Sequence, residues 1–407
     1  MAKTITGSIA GTVTLVTGDD PVLVEPSGYV YGASVGIYGG SGVPWTITNQ
    51  GTIAGTPPVS TEIAAGIELT SGGSVDNSGT ISGYTYGIYV AGDLGTVSNS
   101  GLISGADATT HSVGVKLDAG GTVTNTTTSA AISGVYTGVG IYNAFGTVIN
   151  AGTISAYGTE GYAIALGQGG SVDNQAIGGV QAVISGYRSG VAIHGDTGTV
   201  TNVGTIIGSN EYGVLLGLGG SVVNGVSGSS DAGIYGLVNG VFVTSGDATI
   251  TNYGTIASGL CGCGTYDGVL IASDGIVTNA AGALIEGWIA GVEVGLAANV
   301  YNAGTISALY GVGVALASGG TITNAAGGTI YGLAYGINVG YGAATVLNEG
   351  SIGSGVCGCS TYRRDISGIR WFRHQCRVGD HQRLCQRRLH PHQRRFGHQQ
   401  RHDRRTV

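Results

Sequence analysis

The chain alternates apolar with polar or small residues in short pieces from about residue 45 to residue 362. Val, Ile or Leu stand beside Thr, Ser or Asn within each piece, and glycine-rich bends separate one piece from the next. Alternation with a period of two predicts strands with one buried face, whereas a globular helix needs ten or more residues with a period near 3.6. The pattern therefore predicts an all-β protein.

One motif recurs thirteen times along this region, as in residues 46–53 (TITNQGTI) and 199–206 (TVTNVGTI). Successive motif Asn residues lie 22 to 28 positions apart, and a second element, as in residues 66–69 (GIEL), lies between them. Each repeat thus offers three strand-forming pieces joined by bends, which is one turn of a three-sided coil. Such repetition predicts a parallel, right-handed β-helix or solenoid of about 13 turns.

The repeat divides the chain into three regions. Residues 1–44 repeat poorly, and we expect them to form a degenerate repeat or a cap on the first turn. Residues 45–362 form the β-helix domain, and residues 363–407 are a tail without the repeat.

The Asn of each repeat follows an inward apolar residue, so its polar side chain needs a partner inside the coil. When identical turns stack in register, each amide can donate to the Asn on one side and accept from the Asn on the other. We expect the Gly two positions later to adopt the positive φ of a bend. The Asn residues of this predicted structural ladder are Asn49, Asn77, Asn99, Asn125, Asn150, Asn174, Asn202, Asn224, Asn252, Asn279, Asn302, Asn324 and Asn348.

The repeated Val-Thr-Asn-x-Gly-Thr-Ile and Gly-Gly-Ser-Val-x-Asn units resemble the passenger regions of bacterial autotransporter proteins. The resemblance covers residues 45–362 and implies a secreted or surface-displayed rod of a Gram-negative bacterium, often an adhesin or virulence factor. It also implies an outer-membrane barrel in the full-length parent, and we expect this chain to be a truncated form without it. The amino end has no apolar core of a signal peptide, and no apolar run is long enough for a transmembrane helix.

The tail differs sharply from the repeats in charge. Residues 1–362 contain 20 acidic side chains and only three basic ones, whereas residues 363–407 contain 13 Arg. Residues 397–405 (GHQQRHDRR) can be encoded so that reading one base later gives VTNSGTIDG, which is the missing repeat. We therefore interpret the tail as a frameshifted, disordered segment and predict neither a nucleic-acid arm nor a metal site in it.

Two Cys-x-Cys loops are the main candidates for metal or redox chemistry. They are copies of one loop, at Cys261 and Cys263 and again at Cys357 and Cys359. Each offers two thiolates where zinc takes four ligands, so we predict local disulfides in an oxidising compartment rather than a metal site.

No cluster of residues predicts catalysis. Asp76 and Asp173 occupy equivalent outward positions but stand four turns apart, and His111 and His194 have no nucleophile motif beside them. Paired Thr residues suited to an ice-binding face occur in only five of thirteen turns. The 21 Tyr offer a stacking surface for glycans or a cover for the coil exterior.

These observations predict a non-enzymatic, cofactor-free scaffold at the cell surface or outside the cell. It would adhere through an extended surface to an unknown surface protein or glycan. The alternatives are a carbohydrate-active β-helix enzyme, which needs two facing carboxylates, and a decayed fragment without function.

Overall fold

A computed structural model describes residues 2–57, 63–106, 111–259 and 266–355 of the 407-residue chain. This part is all-β and forms a parallel β-solenoid of about 14 turns, as the repeat predicts. Among the described residues, no helix is long and apolar enough to cross a membrane.

The strands are three to five residues long, apart from two shorter ones in a local hairpin. In chain order they begin with β1 (Lys3–Ile5), β2 (Ser8–Ala10), β3 (Val13–Leu15), β4 (Val22–Val24), β5 (Tyr29–Gly32), β6 (Ile37–Gly39), β7 (Trp45–Asn49), β8 (Thr52–Gly55), β9 (Ala65–Leu69), β10 (Gly73–Asn77), β11 (Thr80–Gly83), β12 (Tyr86–Val90), β13 (Gly95–Asn99), β14 (Leu102–Gly105) and β15 (Val113–Leu117). The middle of the coil contains β16 (Gly121–Asn125), β17 (Ala131–Gly134), β18 (Thr137–Ile141), β19 (Gly146–Asn150), β20 (Thr153–Ala156), β21 (Tyr162–Leu166), β22 (Gly170–Asn174), β23 (Ala176–Ile177), β24 (Val180–Gln181), β25 (Val183–Gly186), β26 (Ser189–Ile193), β27 (Gly198–Asn202), β28 (Thr205–Gly208), β29 (Tyr212–Leu216) and β30 (Gly220–Asn224). The remaining strands are β31 (Gly233–Gly236), β32 (Asn239–Val243), β33 (Ala248–Asn252), β34 (Thr255–Ser258), β35 (Val269–Ile271), β36 (Gly275–Asn279), β37 (Leu284–Gly287), β38 (Ala290–Val294), β39 (Ala298–Asn302), β40 (Thr305–Ala308), β41 (Val312–Leu316), β42 (Gly320–Asn324), β43 (Thr329–Gly332), β44 (Tyr335–Val339), β45 (Ala344–Asn348) and β46 (Ser351–Ser354).

Each turn contributes one strand to each of three parallel sheets, which hold 15, 15 and 14 strands. The first sheet contains the motif Asn, the second contains the Thr-Ile element, and the third contains the Gly-Ile or Gly-Val element. Matching motif positions pair directly, so that Asn77 lies between Asn49 and Asn99. An antiparallel hairpin of β23 and β24 lies outside this scheme.

The first 44 residues add two turns to the thirteen that the motif marks. Strands β1 to β6 pair in parallel with β4 to β9 and so extend all three sheets. In these turns the position of the motif Asn is occupied by Ile5 and then Val24. The coil geometry therefore does not require the Asn motif at its amino end.

Columns of identical apolar residues fill the interior because the turns stack in register. The Ile of the Thr-Ile element stacks over twelve turns from Ile53 to Ile330 in the second sheet, and all twelve of these side chains have no exposed surface. β-Branched side chains pack well on a pleated surface, and each fully buried one contributes roughly 1.5–3 kcal/mol relative to exposure. The repeated sequence thus produces a continuous core.

The prediction of positive φ for the Gly two positions after the motif Asn is wrong. Gly79 and Gly101 do not have positive φ, whereas the paired glycines at the corner before the first sheet, such as Gly120 and Gly121, do. A Cβ on Gly79 would lie 2.0 Å from the carbonyl oxygen of Gly51 in the preceding turn. The motif glycine is needed because neighbouring backbones approach closely at this corner.

Candidate functional site

The thirteen motif Asn side chains form one unbroken column of hydrogen bonds inside the coil. In every step the Nδ2 of one Asn donates to the Oδ1 of the Asn in the next turn, over 2.7–2.9 Å. The same Nδ2 also donates to backbone carbonyls, as Asn99 does to Gly101 and Ala131. The twelve Asn residues from Asn49 to Asn324 have no exposed surface. The column is therefore closed to ligands and satisfies its own polar groups.

The column has two different ends. At Asn49 the Oδ1 is buried and has no hydrogen-bond partner within the described residues, because Val24 occupies the next position. At the other end, Asn348 accepts from Asn324 and is partly exposed.

The other residues singled out from the sequence are not brought together. Cys261, Cys263, Cys357 and Cys359 lie outside the described residues, as does the tail. Asp76 and Asp173 lie on the outer face of the first sheet in strands β10 and β22, four turns apart. Within the described ranges, no three His, Cys, Asp or Glu side chains are grouped as metal ligands.

One face of the coil does gather aromatic and charged side chains. They lie on the outer face of the third sheet and on the corners directly before and after it, from β6 to β32, and we call them the aromatic strip. The strip consists of Tyr38, Glu68, Tyr86, Tyr89, Lys116, Asp118, Tyr136, Tyr142, Glu160, Tyr162, Arg188, Glu211, Tyr212 and Phe242.

The amino-terminal half of the strip is a connected cluster around Lys116. The rings of Tyr86 and Tyr89 stack with centroids 5.1 Å apart, and the ammonium of Lys116 lies 5.5 Å and 4.8 Å from these centroids. Asp118 accepts hydrogen bonds from the Tyr89 hydroxyl at 2.7 Å and from Lys116 at 3.1 Å. Burial and the Asp118 carboxylate raise the pKa of Tyr89, so its hydroxyl stays protonated as a donor.

A second cluster surrounds Arg188, farther along the same face. Its guanidinium pairs with Glu211 at 3.0 Å and Glu160 at 3.1 Å, and lies 5.2 Å from the ring centroid of Tyr162. The hydrogen bond to Glu211 raises the pKa of Arg188. Lys116 and Arg188 are two of only three basic residues before residue 363, and both are placed beside tyrosine rings.

The floor of the strip between these clusters is made of small residues. In the outward column of paired positions that contains Lys116, the next three strands place Gly140, Ala165 and Ala192, one residue or rung per strand. Tyr142 folds across this floor, where a Cβ on Gly140 would lie 2.8 Å from its hydroxyl oxygen. Burial raises the pKa of Tyr142.

The strip opens at its amino-terminal end into a shallow groove of about 590 Å³. Its lining includes Thr14, Val35, Tyr38, Ile63 and Glu68. The Glu68 side chain is half-buried there, and burial raises its pKa. The groove thus places a carboxyl group in an environment that is less polar than open water.

A buried acid lies on the third sheet beyond the strip, and no sequence pattern pointed to it. Asp267 is 6% exposed, and its Oδ1 accepts a hydrogen bond from the backbone N–H of Ala290 at 2.8 Å. In the preceding turn Asn239 accepts in the same way from the N–H of Asp267. Burial, with a smaller contribution from Glu293, raises the pKa of Asp267 to about 7. Asn239 and Asp267 therefore hold the same place in successive turns, and each accepts a hydrogen bond from the backbone of the turn that follows.

Sequence reasoning noted the tyrosines and the scarcity of bases but not the strip. The signal was present as a Tyr directly before the Gly-Ile or Gly-Val element, at Tyr86 and Tyr212. Only the strand pairing shows that Glu68, Tyr89 and Lys116 occupy adjacent rungs.

Comparisons with protein-family models, with curated proteins and with solved structures find no match to this chain.

Proposed function

We propose that this chain is a non-catalytic β-helical scaffold, displayed outside the cell, that adheres to other cell surfaces through the side of its coil. The observation that carries the proposal is the aromatic strip. Its aromatic and charged side chains are concentrated on one of three sheet faces, along nine successive third-sheet strands from β6 to β32. Extended, partly exposed surfaces rich in tyrosine are typical of recognition.

The arrangement of the two cations supports a fixed binding surface. Lys116 and Arg188 each bridge a carboxylate and a tyrosine ring, and therefore hold neighbouring side chains in place. A surface whose side chains are already ordered loses less conformational entropy when it binds. This suits an adhesin that must bind through many weak contacts.

The repeat motif supports the extracellular setting. Its resemblance to autotransporter passengers implies export by a Gram-negative bacterium and an outer-membrane barrel in the full-length parent. The acidic repeats, with 20 acidic and three basic side chains before residue 363, also disfavour a nucleic-acid partner. We infer that the partner is a surface glycan or a surface protein.

The test is adherence of the purified full chain, fluorescently labelled, to cultured epithelial cells and to Gram-negative bacterial cells. We expect saturable binding that a variant carrying Tyr89→Ala and Tyr162→Ala reduces at least fivefold. The matched control is a variant carrying Thr46→Ala and Thr96→Ala on the outer face of the first sheet, which should bind as the unchanged chain does. Equal loss in both variants, or no saturable binding to either cell type, would contradict the proposal.

A further inference from the structure

We propose that the amino-terminal end of the aromatic strip binds an uncharged oligosaccharide that lies along the coil. Tyr38 and Tyr89 stack on its sugar rings, and the Glu68 carboxyl group between them accepts hydrogen bonds from its hydroxyl groups. The inference rests on the proposed adhesive function and specifies the ligand of that surface.

The strand register sets the spacing of these groups. Thr14, Tyr38, Glu68 and Tyr89 pair in succession and occupy four adjacent rungs of one outward column. Neighbouring parallel strands lie about 4.8 Å apart, so the two tyrosines are separated by roughly 10 Å with the carboxyl group between them. A linear oligosaccharide that lies along the coil would contact the Tyr38 ring, the Glu68 carboxyl group and the Tyr89 ring in that order.

The groove gives the oligosaccharide a place to lie. Its volume of about 590 Å³ is bounded by the apolar Val35 and Ile63 as well as by Thr14, Tyr38 and Glu68. Sugar rings have an apolar C–H face and a polar rim, so they fit a surface that alternates aromatic or aliphatic groups with hydrogen-bonding ones.

Glu68 supplies the most specific reason for a hydroxyl-rich ligand. Its side chain is half-buried, and among the described residues no hydrogen bond or ion pair reaches its carboxyl group. A partly buried polar group without a partner is costly, and a ligand that supplies hydrogen bonds removes that cost. Tyr89, in the adjacent strand, is held in one orientation because its hydroxyl donates to Asp118 and its ring packs against Tyr86 and Lys116.

The charges of the strip favour an uncharged ligand over an anionic one. Four carboxyl groups face two cations, and both cations are already ion-paired. An anionic glycan would find no free cation on this face and would be repelled by the excess of carboxylates. The charged residues of the strip are Glu68, Lys116, Asp118, Glu160, Arg188 and Glu211.

The experiment is calorimetric titration of the full chain with hexasaccharides. The uncharged probes are maltohexaose, cellohexaose, mannohexaose and N-acetylchitohexaose, and the anionic probe is hexagalacturonate. We expect at least one uncharged probe to bind and the anionic probe to bind at least tenfold more weakly. Tyr38→Ala with Tyr89→Ala should reduce affinity for the uncharged probe about tenfold, since each stacking contact contributes roughly 0.5–1.5 kcal/mol.

Conservative variants separate binding from folding. Tyr38→Phe with Tyr89→Phe keeps both rings and should retain affinity within about threefold, and Glu68→Gln should bind better than Glu68→Ala because it keeps an acceptor. The first-sheet variant Thr46→Ala with Thr96→Ala should bind as the unchanged chain does. Preference for hexagalacturonate, absence of binding by every uncharged probe, or full affinity after removal of both rings would overturn the inference. Adherence to cells that depends on the strip, without binding of these sugars, would overturn this inference alone and leave the adhesive function standing.

Discussion

The asparagine column and the aromatic strip differ in how their chemistry changes from turn to turn. The column repeats one side chain over thirteen turns and is sealed inside the coil, whereas the strip presents Tyr, Glu, Tyr, Lys and then Gly in successive rungs of one outward column. Identical rungs stabilise stacking because each amide finds the same partner above and below. Different side chains in successive turns cannot form one repeated ladder, but they give one face a distinct shape and charge.

The side chains on an outer face of the coil need not change from turn to turn as they do on the strip. The outer face of the first sheet provides an example. Thr or Ser occupies nine successive rungs of its first outward column, from Thr46 to Thr249. The coil therefore tolerates a monotonous exterior. The aromatic and charged side chains on the third sheet, in place of such a uniform column, are the feature on which the proposed binding surface rests.

The largest effect should come from breaking the column at its middle. Asn174→Leu leaves the Nδ2 of Asn150 without its acceptor and the Oδ1 of Asn202 without its donor, and both Asn residues are fully buried. The Oδ1 of Asn202 is then unsatisfied, at a cost of about 1–3 kcal/mol, whereas the Nδ2 of Asn150 keeps its bonds to Gly152 and Val183 and loses only one hydrogen bond, worth about 0.5–1.5 kcal/mol. We therefore expect a loss of roughly 2–4 kcal/mol in the free energy of unfolding. Denaturant unfolding followed by circular dichroism measures it.

The end of the column supplies the matched comparison for this prediction. Asn49→Leu removes an Oδ1 that has no partner and deprives only Asn77 of a donor, so it should cost less than Asn174→Leu. Equal costs for the two variants would show that the hydrogen bonds between turns are not what stabilises the coil.

The next effect concerns Asp267, a buried acid on the third sheet whose environment resembles the column. Its pKa of about 7 in the folded chain lies above the ordinary value of 3.8, so the folded state keeps a proton that the unfolded state has lost between these two pH values. Stability should therefore fall as pH rises from about 4 to 7 and stay level above 7. The shift corresponds to a penalty on the order of 4 kcal/mol at most.

Asp267→Asn should remove this pH dependence. The amide oxygen can still accept from the Ala290 N–H, as Asn239 does one turn earlier from Asp267. We expect the variant to be more stable than the unchanged chain at pH 8 and nearly equal to it at pH 4, as measured by denaturant unfolding at both pH values. The exposed Asp76→Asn is the control, and the same pH response in both variants would rule out Asp267 as its source.

The smallest effect should come from lengthening the column by one turn. Val24→Asn places an Nδ2 donor next to the unpaired Oδ1 of Asn49. The substitution also removes one buried apolar side chain, and the new end of the asparagine column then faces Ile5. Because Val24→Ala loses the apolar contact without that gain, the Asn variant should be about 1 kcal/mol more stable than the Ala variant. Thermal unfolding of the pair measures the difference, and the reverse order would count against a hydrogen bond at this step.

The sequence predicted the features that repeat in every turn well and the features that differ from turn to turn poorly. The three-sided coil follows from short alternating pieces, and inward Asn residues can stack whatever the lengths of the bends between turns. The motif glycine was misjudged because a pattern cannot distinguish positive φ from a close backbone contact, which Gly79 makes with Gly51. The first two turns were predicted only as a degenerate repeat or a cap, because Ile5 and Val24 replace the Asn that marks a turn.

The candidate site was harder to predict because it depends on which residues share a face. Glu68 and Lys116 are 48 positions apart in the chain, and Tyr89 lies between them only because the turns pair in a particular register. Repeat lengths of 22 to 28 residues prevent that register from being read from spacing alone. Burial of Asp267 likewise follows from its position just before the third-sheet strand β35.

The central claim is that the aromatic strip makes the contact while the rest of the coil supports it. Hydroxyl-radical labelling of the full chain, free in solution and bound to the cells to which it adheres, tests this directly because tyrosines on all three sheets report in one experiment. We predict that Tyr38, Tyr89 and Tyr162 of the strip become protected on binding, while Tyr31 on the second sheet and Tyr301 on the first sheet keep their labelling. Protection of Tyr31 and Tyr301 with the strip tyrosines unchanged would contradict the account.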